Sequence, residues 1–193
     1  MNFLAHSFLS FSDEQIVGQF LNDHIKNKDR LTLPKGIFQG VVLHRSIDSF
    51  TDSHPEISEA KKIFAPLVRL YSGAFVDVAM DYFLANDPKI FSPEDWKNHA
   101  ERVYAVLENY LDFFPENFKN ILDRMKSDNW LYNYREDWGI EFSLKNVLNR
   151  ARYLDRGLPV FNVFLENKPQ LKEHYDAFFP DLQKHIFELN ESF

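Results

Sequence analysis

Apolar residues recur along this chain every three or four positions, and strict polar–apolar alternation is hard to find. The pattern predicts helices nearly throughout. Ile16, Val17, Phe20 and Leu21 form one stripe behind Ser12, a competent cap, with Asp23 at the edge of the stripe. The stretch from Asn27 to Lys35 is polar and basic, contains Pro34, and reads as a loop. A helix is expected from Gly36 to about Phe50. Pro55, behind Ser53 or His54, suits the first turn of the next helix, which carries Ile57, Ala60, Ile63 and Phe64 until Pro66 ends or kinks it. The run from Tyr71 to Asn86 is the most apolar part, and Asp77 and Asp81 are its only charges. Ser92-Pro93-Glu94-Asp95 is a helix start with Asp95 in the capping-box position, and the helix should reach about Phe114. Pro115 opens a shorter helix with Phe118, Ile121, Leu122 and Met125. A turn near Gly139 precedes a helix from Phe142 to Leu154. Gly157 and Pro159 interrupt, and the amphipathic tail, divided by Pro169 and Pro180, ends near Leu189.

Only six glycines occur, which also disfavours a sheet protein. No repeat, low-complexity tract or linker divides the chain, so the expectation is all-α, one compact helical domain over residues 1–193. Twenty Phe, eight Tyr and three Trp supply a large core. A formal net charge of −7 argues against general nucleic-acid binding, which needs a basic surface. The absence of Cys removes thiolate metal sites and thiol nucleophiles. No signal peptide and no long uncharged apolar span are evident, so a cytoplasmic location and no membrane are expected.

The candidate chemistry lies in carboxylates and imidazoles on these apolar segments. His44 and Asp48 sit four apart on one helix face, with Asp52 a turn later, and Asp77 and Asp81 repeat that spacing. A buried carboxylate must find a cation, a metal or a set of donors, or else take up a proton. Metal ligation or general-base work fits Asp77 and Asp81; core ion pairs fit them too. Asp23 is preferred over His24 as a ligand. His6 is either a ligand or a packed residue of the apolar N-terminal segment. Arg45 either clamps a phosphate or pairs with Asp48 or Asp81. Asp52 reads as a surface cap, and His99, His174 and His185 as members of solvated faces. No Gly-rich phosphate loop or serine elbow is present.

Several motifs together resemble the acyl carrier protein phosphodiesterases. They are Met1-Asn2-Phe3-Leu4-Ala5-His6, Gly18-x-Phe20-Leu21-x-Asp23, Leu43-His44-Arg45-x-Ile47-Asp48, Thr51-Asp52 and Asp77-Val78-x-x-Asp81-x-Phe83-Leu84. Asn129-Trp130-Leu131-x-x-Tyr134, Gly139-Ile140 and Arg150-x-Arg152 follow, so the ordered match spans roughly residues 1 to 153. The resemblance implies a helical fold related to the His-Asp metal-dependent phosphohydrolases. It implies hydrolysis of the phosphodiester that joins 4′-phosphopantetheine to a serine of holo-acyl carrier protein. A divalent metal is implied, manganese first and magnesium second. By position the metal residues are His6, Asp23, His44, Asp77 and Asp81, with Arg45 and Asp48 beside them. Asp81 or Asp48 is then the proton acceptor, Arg45 the phosphate clamp and His54 a proton donor. The chain departs from the family pattern at Tyr82 (often His), Gln19 (often Asn), His24 (often Phe) and Asn27 (often Gly). Carrier proteins are acidic, which makes Lys26, Lys28, Arg30 and Lys35 a candidate docking patch, and Lys61, Lys62 and Arg69 a second. A different phosphoester substrate, a nucleotide for instance, or a non-catalytic helical binding module are the alternatives; the oligomeric state is not legible.

Overall fold

The structure, a computed structural model, describes residues 1–193 except for the side chain of Asn27. Eleven α-helices follow one another: α1 (Phe3–Phe8), α2 (Asp13–Leu21), α3 (Lys35–Ser53), α4 (Pro55–Val68), α5 (Ser72–Ala85), α6 (Pro93–Asn109), α7 (Glu116–Ser127), α8 (Trp130–Asn133), α9 (Asp137–Arg150), α10 (Val160–Glu166) and α11 (Lys168–Glu191). Among the described residues there is no strand. Short 3₁₀ turns fill several connections, including Asn27–Thr32.

Local chemistry sets many of the boundaries. The Ser12 side chain accepts from the Gln15 amide and starts α2. Ser92 and Asp95 complete a reciprocal capping box at α6, a device worth about 1 kcal/mol. Three boundaries differ from the sequence expectation. Helix α9 begins at Asp137 rather than Phe142, and Gly139 lies inside it. A Cβ at Gly139 would stand 1.9 Å from the Asn133 carbonyl oxygen, so glycine here permits close packing rather than a turn. Helix α6 stops at Asn109, with a 3₁₀ turn at Leu111–Phe113 before Pro115. Helix α11 is continuous. Pro169 sits in its first turn, where no intrahelical donor is needed, and Pro180 is carried by the burial of Phe178, Phe179 and Leu182 around it.

Helix α5 is the central element. Phe75, Val76, Val78, Ala79, Met80 and Leu84 are all buried, and α5 contacts α1, α4, α9 and α11. The stretch Pro55–Ala85 is apolar enough in one window to resemble a membrane span. It folds as two helices, α4 and α5, packed on each other and separated at Arg69, where φ is +52°.

The most extensive helix contact joins α2 to α3. A Cβ on Gly18 would lie 2.1 Å from the Ile37 carbonyl oxygen, and one on Gly40 would lie 2.2 Å from that of Gln15. The two backbones therefore touch where both residues lack side chains. This crossing places the backbone oxygen of Gln19 in α2 within 2.8 Å of His44 Nδ1 in α3.

The three histidines expected on solvated faces are instead partly or largely buried. His174 Nδ1 meets Glu56 at 2.7 Å, and His185 stacks on Phe50 and bonds Ser46. His99 packs among Phe8, Phe91 and Trp96, with Nε2 2.9 Å from Ser7 Oγ. Burial, with Arg102 nearby, pulls its pKa down to about 4.

Replacing Gly40 by Ala forces the α2 and α3 backbones apart and should cost about 3 kcal/mol in urea unfolding. Gly73→Ala is the control, since its Cβ would meet only the flexible end of Lys61, 3.3 Å away; stability should hold or rise slightly. A second prediction concerns pH. Unfolded His99 takes up a proton near pH 6.5, whereas the folded ring resists until about 4. Stability should therefore fall as pH drops through that interval, by up to about 3 kcal/mol. Denaturation midpoints of His99→Gln should lose most of that slope.

Candidate metal centre

Two imidazoles form the floor of a cleft of about 530 Å³. His6 comes from α1 and His44 from α3. Both are buried, and their rings stack with centroids 4.0 Å apart. Asp48, one turn after His44, spans the two: its oxygens lie 3.3 Å from His6 Nε2 and 3.1 Å from His44 Nε2. Asp23, just past the end of α2, brings an oxygen to 3.6 Å from His44 Nε2. One ligand atom from each of His6, His44 and Asp48 fits within 4.8 Å of the other two.

Gln19 fixes both rings. Its backbone oxygen lies 2.8 Å from His44 Nδ1, and its side-chain oxygen 2.9 Å from His6 Nδ1. A carbonyl oxygen can only accept, so each Nδ1 carries the proton in the neutral ring. Both Nε2 lone pairs then face the Asp48 carboxylate. Burial favours the neutral His6 ring and lowers its pKa. Burial also works against the Asp48 anion; with no cation between them, a ring that takes a second proton at Nε2 donates it to Asp48, and such hydrogen bonds from His44 and His6 hold its pKa far below the usual carboxylate range. Two imidazole nitrogens and a carboxylate converge closely enough to hold a cation, or to pair directly once a ring is protonated. The donor set, mixed nitrogen and oxygen with outer hydrogen bonds orienting the imidazoles, suits a divalent transition ion.

Other predicted site residues take other places. Asp77 lines the same cleft, where its Oδ1 accepts from the Met1 α-amino group at 2.7 Å. Asp52 also lines it but is paired with Lys61 at 2.8 Å. Asp81, expected as a ligand or base, is neither in position nor free. It is fully buried, and its oxygens accept from the amides of Asn2 (3.0 Å), Leu4 (2.8 Å) and Ala5 (3.4 Å). Burial pushes its pKa up to about 7, against the opposing pull of the Met1 amine and these amides. Its task is to anchor the start of α1, the helix that carries His6.

His54, expected as a proton donor, is likewise committed elsewhere. It accepts from the Glu56 amide at the start of α4, and its Nε2 lies 3.5 Å from Asp181. Arg45 is on the exposed side of α3 and does not line the cleft. Tyr82 does not reach the cleft either; its hydroxyl donates to Asp137 and its ring lies under Lys168. The departures at Gln19 and His24 do line it, and the one at Asn27 lies outside the described residues. Gln19 and Arg150, which the sequence does not mark out for a role, also line the cleft. Gln19 looks like any buried glutamine until the rings are seen on it. Arg150 closes α9 and lines the cleft, and among the described residues no carboxylate lies within ion-pair distance of it.

The architecture and site define an all-helical protein with an acidic, histidine-floored cleft whose His6, His44 and Asp48 lie close enough together to hold a cation. The family model for acyl carrier protein phosphodiesterase matches residues 1–182. A protein of that name from Enterobacter sp. (strain 638) is 31% identical over 182 residues, covering 92% of this chain and 89% of the relative. Proteins of the same name from Salmonella paratyphi A and Salmonella agona are 31% and 30% identical over 179 residues, with the same coverage. No solved structure matches the chain. The chain belongs to the acyl carrier protein phosphodiesterase family.

Replacing Asp81 by Ala leaves three amides at the head of α1 without their acceptor. The loss should be about 3 kcal/mol, a fall in melting temperature on the order of 10 °C. Differential scanning calorimetry checks it; an unchanged melting temperature would show that water replaces the carboxylate.

Proposed function

We propose that this protein hydrolyses the phosphodiester between 4′-phosphopantetheine and the serine of holo-acyl carrier protein, using a divalent ion, manganese first. The name the relatives carry supports the substrate. The single observation that carries the chemistry is the convergence of His6 and His44 Nε2 on Asp48, with both Nδ1 atoms tied to Gln19. His6, His44, Asp48 and Asp23 are the residues that would hold the ion. When bound, a divalent ion offsets phosphate charge and makes water a better nucleophile near neutral pH.

The chain's own groups do the rest. Gln19 keeps the ring tautomers and so keeps the donor atoms turned inward. Arg150 is the cation placed to take non-bridging phosphate oxygens, a role the sequence reading gave to Arg45. Asp77 Oδ2 accepts the proton of the attacking water. The water oxygen forms a bond to phosphorus, the bond from phosphorus to the serine oxygen breaks, and the departing serine oxygen takes a proton from solvent at the open mouth. The products are apo-carrier protein and 4′-phosphopantetheine.

The two candidate docking patches are unequal. Lys61 is paired with Asp52 and Lys62 with Glu59, which cancels most of the second patch. Lys26, Lys28 and Arg30 have no ion-pair partner among the described residues and lie in the connection directly after Asp23. That patch is the one we assign to the acidic carrier.

The test is to incubate the protein with holo-acyl carrier protein and manganese and to follow the carrier by mass spectrometry. Loss of the phosphopantetheine mass is expected, and a chelator should prevent it. His44→Ala should lower kcat/KM at least about 100-fold, and Arg150→Ala about 10- to 100-fold, with circular dichroism unchanged. A carrier left intact by wild type under every divalent ion rejects the reading.

A further inference from the structure

The cleft does not end at the histidines. Phe3, Ile121 and Arg150 line it and also line a second cavity of about 740 Å³, a size typical of small-molecule sites. The second cavity lies between the end of α7, α8 and one face of α9. Its walls carry the aromatic surfaces of Trp130, Trp138 and Phe142, and Trp138 and Phe142 remain 57% and 44% exposed. Among these walls stand Asn146 and Asn149, whose side-chain amides have no hydrogen-bond partner among the described residues. Exposed aromatic faces beside unengaged amides fit a ligand that is itself apolar but interrupted by amide groups.

We propose that this second cavity receives the pantetheine arm of the substrate, with Arg150 at the junction where arm meets phosphate. The inference rests on the reaction proposed above. The arm has a branched apolar segment and two amide groups. Trp138 and Phe142 cover the first, and Asn146 and Asn149 offer both donors and acceptors to the second. The order of groups along the ligand, amide arm and then phosphate, matches the order along the protein: amide-bearing cavity, then Arg150 and the histidine floor, with the serine toward the open mouth.

Two of the three tryptophans line this cavity, and the third, Trp96, is buried elsewhere. Titration of the full chain with pantetheine, which lacks the phosphate, should therefore give a saturable change in tryptophan fluorescence. Asn146→Leu should weaken it at least tenfold, and Ser143→Phe, which fills the cavity, should abolish it. In parallel, Ser143→Phe should raise KM for holo-carrier protein at least tenfold more than for the armless diester bis(4-nitrophenyl) phosphate. Asn146→Leu, close in size to the original side chain, keeps the test open if Ser143→Phe fails to fold. Cleavage of holo-carrier protein by wild type without any pantetheine response overturns the cavity assignment alone. Equal effects of Asn146→Leu on both substrates do the same. A wild-type chain that cleaves the armless diester but never the holo-carrier overturns the reaction reading, and the arm assignment with it.

Discussion

The close crossing of α2 and α3 is the constraint on which the site depends. At Gly18 and Gly40 the two backbones approach to distances that no Cβ tolerates. Gln19 follows Gly18 directly, and His44 is one turn beyond Gly40. The crossing therefore delivers the Gln19 carbonyl to His44 Nδ1, and the same residue's side chain reaches across to His6. One residue in contact with two rings sets two tautomers. If α2 and α3 moved apart by the thickness of a methyl group, the bond from His44 to the Gln19 carbonyl would be lost while the one to His6 stayed with α2. The lone pairs would then no longer share a target.

The second histidine is held by a different device. Helix α1 has six residues, too few to be stable alone. Asp81 supplies what the short helix lacks, an acceptor for its unsatisfied first amides, in a place with no water to do so. The carboxylate that the sequence offers as a ligand is thus the one that positions the helix bearing His6. Asp77, one turn earlier on α5, faces the cleft instead. Four residues of spacing put both on one helix face, but α1 lies across only part of that face, so their fates divide.

How much was legible in the sequence follows from that division. The helical class was readable because apolar spacing at three and four residues is dense in all the long segments. The starts at Ser12, Pro55 and Ser92 were readable because capping is local chemistry. His44 and Asp48 could be paired from spacing alone, being one turn apart on one helix. What was not readable depended on partners distant in the chain. Asp81 and Asn2 are 79 positions apart, and nothing local says that an apolar helix will spend its aspartate on another segment's amides. His54 was assigned a proton, yet it sits at a helix junction where its ring is already used. Arg45 and Arg150 look alike in the sequence. Only the packing of α9 against α5 decides which one borders the cleft. Gly139 was read as a turn because a glycine needed for close packing and one needed for a turn leave the same letter.

The charges of the cleft impose an order on any reaction there. Asp23, Asp48, Asp52 and Asp77 all line it, and only Asp52 has a lysine partner. A phosphodiester is an anion, and carboxylates this close would repel it. Arg150 supplies one positive charge at the edge, too little against the carboxylates on the floor. On the proposed reading the same arrangement attracts a divalent ion, which would offset most of the negative charge that a phosphate meets. On the proposed reading the ion therefore binds before the substrate, and its affinity and the substrate's are positively coupled. The carrier protein sharpens this requirement, because it is itself acidic and the chain carries a net charge of −7. Long-range electrostatics oppose the encounter, so on that reading attraction must come from local features: the basic connection after Asp23, the ion, and the aromatic walls beyond Arg150, where Arg124 and Asp128 are of opposite charge. On the proposed reading, an arm with no charge of its own, entering a cavity walled mainly by aromatic rings and amides, is the part of such a substrate that meets no repulsion from the carboxylates of the cleft.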